Sequence, residues 1–68
     1  MKYLVIEIQQ NQDGTVGNNV WAFDSVNDAE AKYHAVLSAC AVSNVACHSC
    51  DMINSEGLFI KSECFKHE

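Results

Sequence analysis

Residues 45–53, "VACHSCDMI", carry the reading on which the fold turns. Cys47 and Cys50 stand three apart with His48 and Ser49 between them, the spacing of half a zinc site, of a redox dithiol, or of two positions in a β-strand. Zinc needs four thiolate or imidazole ligands in a tetrahedron, and a Cys-x2-Cys half-site supplies two because a turn aims both sulfurs inward. Here the second half would have to be gathered singly from Cys40, Cys64, His48 or His67. In a flat strand, residues three apart point to opposite faces. The flanking Val45, Ala46, Met52 and Ile53 include no glycine at which the chain would bend. A dithiol of the thioredoxin kind sits where a strand enters a helix, whose N-terminus lowers the thiol pKa, whereas this one follows a helical segment. The strand reading is preferred, with Ala46, His48, Cys50 and Met52 on one face and Val45, Cys47, Ser49, Asp51 and Ile53 on the other.

Downstream, Asn54-Ser55-Glu56-Gly57 has asparagine first and glycine fourth, which suits a type I turn. It closes a hairpin onto "LFIKSECFK", where Leu58, Ile60, Ser62 and Cys64 share one face and Phe59, Lys61, Glu63 and Phe65 the other. Upstream, "DSVNDAEAKYHAVLSACAV" is helical in period. Asp24 or Ser25 serves as N-cap, Val26, Ala29, Tyr33, Val36, Leu37 and Cys40 fall on one face, and the exit lies near residues 42–44. Further back, residues 2–9 alternate, with Leu4, Ile6 and Ile8 opposed to Tyr3, Val5 and Glu7. A polar stretch turning at Asp13-Gly14 follows, and "NVWAFD" reads as a second strand with Trp21 and Phe23 on one side. The expected architecture is α+β with the order ββαββ: a four-stranded, mainly antiparallel sheet with one helix packed on one face.

With 68 residues the chain has room for one domain, residues 1–68. A domain this short buries only about 60% of its unfolded surface and commonly draws on association, metal or disulfides for stability. It is 49% hydrophobic and 19% charged, a composition that folds. Its net charge of −5, with no lysine or arginine cluster, argues against nucleic acid as a partner. Asp24, Asp28 and Glu30 gather where a helix start favours carboxylates. The apolar N-terminal run is interrupted by Glu7 and too short for a signal segment or a membrane span. A cytoplasmic location is expected, with the four cysteines as thiols. No glycine-rich phosphate loop is present, and no Cys/His pairing stands out as catalytic from Cys64 with His67 or Cys47 with His34, so the chain is expected to be no enzyme and to need no cofactor.

Residues 29–49, "AEAKYHAVLSACAVSNVACHS", and 61–68, "KSECFKHE", resemble a group of very short proteins from gut bacteria and their phages that carry no assigned activity. The resemblance runs through Tyr33, His34, His48, Cys64, His67 and Glu68. At Cys40, Cys47 and Cys50 this chain departs from the small or apolar residues typical of the group, which counts against a shared zinc site. The resemblance implies an accessory protein associated with phages or prophages.

Two surfaces remain to be explained. Ala31, Ala35, Ala39 and Val42 form a smooth stripe nearly opposite the helix core face, which suits either a good helix former in water or close approach by a partner. One helix covers one face of a four-stranded sheet. If Leu4, Ile6, Ile8, Leu58 and Ile60 face the helix, then Trp21, Phe23, Phe59 and Phe65 point outward and call for a partner. The expected function is a small non-enzymatic protein-interaction module, homo-oligomeric as a dimer or larger, with Trp21, Phe23, Phe59, Phe65, Ala31, Ala35 and Ala39 at interfaces with itself or another protein. The alternative is a small zinc or thiol protein using Cys47, Cys50, Cys64 and a histidine.

Overall fold

The computed structural model describes residues 2–67. The chain runs β1 (Tyr3–Gln10), β2 (Val16–Phe23), α1 (Val26–Ala41), β3 (Cys47–Asn54) and β4 (Phe59–Lys66). The strands form one antiparallel sheet in the order β2-β1-β3-β4, with α1 on one face, so the fold is the expected α+β ββαββ. Each hairpin contributes its first strand to the centre of the sheet and its second to an edge.

Local chemistry closes both hairpins. In the first, Gly14 takes φ +90° and its N–H donates to the Asn11 carbonyl at 3.0 Å, while the Asp13 carboxylate accepts from the Thr15 N–H and hydroxyl. In the second, Asn54 Oδ1 accepts from the Glu56 and Leu58 N–H groups, and Gly57 sits at φ +84°. Those left-handed positions cost glycine little and other residues more. Helix α1 starts at Ser25, whose hydroxyl accepts from the Asp28 N–H at 3.5 Å. It ends at Val42, where the Val42 and Ser43 N–H groups fall back on the Ala39 and Cys40 carbonyls.

Strand β2 begins three residues earlier than "NVWAFD", because Val16, Gly17 and Asn18 pair with Gln10, Gln9 and Ile8. Ladder hydrogen bonds belong to the backbone, so a polar edge segment lengthens a hairpin without any apolar signal. Strand β3 begins two residues after Val45, because residues 45 and 46 bend there. In β4 the ladder passes from Lys61 opposite Met52 to Phe59 opposite Ile53, so Ile60 is the extra residue of a bulge.

The faces of the sheet are the reverse of the expected arrangement. Val5, Cys50 and Met52 from the sheet and Ala29, Tyr33, Val36 and Cys40 from the helix form the buried core, with Tyr3, Trp21, Phe23, Leu37 and Phe65 packed around it. Trp21, Phe23 and Phe65 thus lie on the helix side, and only Phe59 of the four aromatics stands out in solvent. Aromatic rings span the gap between a helix and a sheet that narrower aliphatic side chains leave open, and they bring more apolar area with them. Lys32 closes the rim by placing its ammonium 4.2 Å from the centre of the Trp21 ring. Val26, expected on the core stripe, is exposed at the first turn.

Candidate functional site

On the helix side of the sheet, Glu7, Asn19 and His48 bring a line of polar groups alongside the apolar core. Asn19 on β2 stands directly opposite Glu7 on β1, and His48 on β3 lies diagonally beyond. Asn19 Nδ2 donates to Glu7 Oε1 at 2.9 Å, and His48 Nε2 lies 2.7 Å from Glu7 Oε2. His48 Nδ1 meets the Ser43 hydroxyl at 2.8 Å, and Ser43 also reaches the Cys40 carbonyl at 3.3 Å. The row therefore ends on the Cys40 carbonyl of the last helical turn, where a helix leaves acceptors without their usual partners four residues on. His67 Nε2 donates to the same carbonyl at 2.8 Å, with its ring stacked on Phe65.

Glu7 and His48 are buried, at 8% and 3% exposure. A buried carboxylate and imidazole persist only when each is paired and hydrogen-bonded. Among the described residues no buried side-chain nitrogen or oxygen lacks a partner. Burial is the largest influence on Glu7 and pushes its pKa up, but the hydrogen bonds from Asn19, His48 and Gln9 and the charge of His48 together outweigh it. Its carboxyl therefore sits below the ordinary value of 4.5.

Serine, histidine and glutamate in a row invite comparison with a nucleophile, base and orienting acid. Here the serine hydroxyl is engaged by the helix carbonyl and both imidazole nitrogens are occupied. No pocket opens among the described residues to seat a substrate beside them. Glu7, Cys40 and His48 also present ligand atoms all within 4.8 Å of one another, a carboxylate, a thiol and an imidazole of the kinds that hold transition metals. To bind an ion the Glu7–His48 bond would have to open. The Cys40 thiol would have to ionise although burial, then the nearby Glu7 charge, push it up to about 11. The row is self-contained as it stands.

The other cysteines divide as strand alternation requires. Cys50 is fully buried in the core, its thiol pushed up to about 12, first by burial. Cys47 lies on the opposite face of β3, 3.1 Å in Sγ to Sγ distance from Cys64 on β4. Cys47, Cys50 and Cys64 do not converge, and no histidine joins the Cys47–Cys64 pair among the contacts described.

The open face carries Ala22, Leu4, Ile53 and Phe59 in one cross-strand row and Val20, Ile6, Asp51 and Ser62 in the next. Beyond them come Asn18, Ile8, Ser49 and Cys64. Ala31, Ala35 and Ala39 are exposed along the outer side of α1. Glu7 and His48 each carried a signal in the sequence, but nothing in it joined them as a pair. Glu7 is a charge inside an apolar strand on the same face as Tyr3 and Val5, and His48 alternates with Cys50 and Met52.

No family model, curated protein or solved structure matches the chain.

Proposed function

We propose that the chain is a small, non-enzymatic interaction module that associates through the open face of its sheet, in the first place with a second copy of itself. One observation carries this reading: the face away from the helix is apolar at one end and lies in solvent. Val20 is 55% and Phe59 71% exposed, Ile60 is exposed beside them, and Leu4, Ile6 and Ile53 fill the ground between. Contiguous apolar surface of this kind marks a binding face. A flat twisted sheet meets its like well, because two such faces pack about 10 Å apart with their side chains interleaved. Association also suits a domain with a thin core.

The aromatics expected at the interface give way to the aliphatic residues and Phe59, while the exposed alanine stripe of α1 remains a second surface open to another protein. Among the described residues no helix is long and apolar enough to cross a membrane. The setting we propose is cytoplasmic, a reducing compartment in which cysteines persist as thiols. The resemblance to proteins of gut bacteria and their phages supports a phage-associated or prophage-associated accessory role.

Light scattering at micromolar concentration tests the reading. The expected mass is that of a dimer or larger, reduced to a monomer by Phe59→Asp or Val20→Asp, both exposed positions whose change leaves the core intact. A monomeric parent chain would remove the support for self-association.

A further inference from the structure

We infer that Cys47 and Cys64 form a reversible redox site on the open face of the sheet, closing to an intramolecular disulfide when the chain meets a low-molecular-weight disulfide of the glutathione class. The two sulfurs lie 3.1 Å apart on neighbouring strands, so about 1 Å of approach brings them to bonding distance. They occupy diagonal ladder positions, Cys47 opposite Lys66 and Cys64 opposite Ser49. Paired strands hold them in register, which removes most of the search that ring closure otherwise requires.

Cys64 is exposed and Cys47 partly so, and a small disulfide reaches this face without opening the core. The other two thiols do not compete, since Cys40 and Cys50 are fully buried on the helix side. The Cys64 thiol is raised, first by its hydrogen bond to Cys47 and then by burial. Lys66 opposes that shift and offers positive charge beside the pair.

The chemistry balances as two exchanges. The Cys47 sulfur, having given up its proton, attacks one sulfur of the small disulfide and breaks its S–S bond. One small thiolate leaves and takes up a proton. Cys64, deprotonated in turn, attacks the Cys47 sulfur of the mixed disulfide and expels the second small thiol. The protein loses two electrons and two protons, and the small disulfide gains them as two thiols. The inference rests on the contact of these two thiols and stands whether or not the open face binds a second copy.

The test is to incubate the purified chain with excess oxidised glutathione, quench with an alkylating reagent under denaturing conditions, and read the mass and the linked peptides. The expected product is a monomer that has lost two hydrogens, has two alkylatable thiols left of four, and contains a 47–64 cross-link that reduced glutathione reopens. Cys64→Ser, a change at an exposed position, should instead stop at a glutathione adduct on Cys47. Stable glutathione adducts on the parent chain, a cross-link involving Cys40 or Cys50, a covalent dimer, or four thiols still alkylatable would each overturn the inference.

Discussion

Glu7 spends its carboxylate on Asn19 and His48, and the consequence of that pairing reads out in pH. A carboxyl held below its ordinary value in the folded chain stabilises the fold fully above pH 4.5, the unfolded value, and loses that contribution as pH falls through the lowered folded value. Glu7→Gln keeps the shape but removes the titration and leaves His48 poorly matched. It should cost about 1–3 kcal/mol at neutral pH. In denaturant titrations the gap between parent and variant should narrow on acidification below pH 4.5. A gap that stays constant through the acid range would mean that Glu7 ionises as it does in the unfolded chain. This residue was visible in the sequence as an interruption of an apolar strand, but its partner was not. Alternation tells which residues share a side of one strand, and only the register between strands brings Glu7 on β1 to His48 on β3.

The elements themselves were largely legible. Period two, then 3.6, then two again marks the hairpins and the helix, and Asp13-Gly14 and Asn54 to Gly57 mark the turns that close them. What a strand's own residues do not state is which side meets the helix. Leu4, Ile6 and Ile8 are as apolar as Tyr3 and Val5, and the larger rings decide the contest through the area they bury. The same cause makes Met52, fully buried in β3 beneath α1, the position where truncation matters most. Met52→Ala should cost about 2–5 kcal/mol, which threatens a domain of marginal stability. Ala31→Ser, on the exposed side of α1, should cost only the difference in helix propensity, about 0.5 kcal/mol. Chemical denaturation of the two variants side by side checks the assignment of faces. Similar losses would place Ala31 in a packed surface, as a partner on the alanine stripe would require.

For the whole molecule, charge and apolar surface oppose each other. Each copy carries a net charge of −5, so two copies meeting through the open face repel, and screening relieves that repulsion. Self-association should therefore strengthen from low to moderate salt, read as a fall in the dimer dissociation constant by sedimentation. Association weakened by salt would point to ion pairs across the interface in place of apolar packing. The strand order carries one more consequence, for the time course of folding. Each hairpin joins neighbours in the chain, but the central pair joins β1 to β3, with Tyr3 opposite Asn54, about three-quarters of the chain away. Hairpins close quickly, and contacts between distant segments set the pace. During synthesis the first hairpin and α1 emerge while β1 has a bare inner edge, its ladder groups unmet until the last third of the chain arrives. For that interval the future middle of the sheet is an open edge, and the nascent chain is most vulnerable to pairing with the wrong strand along the segment that ends up best protected.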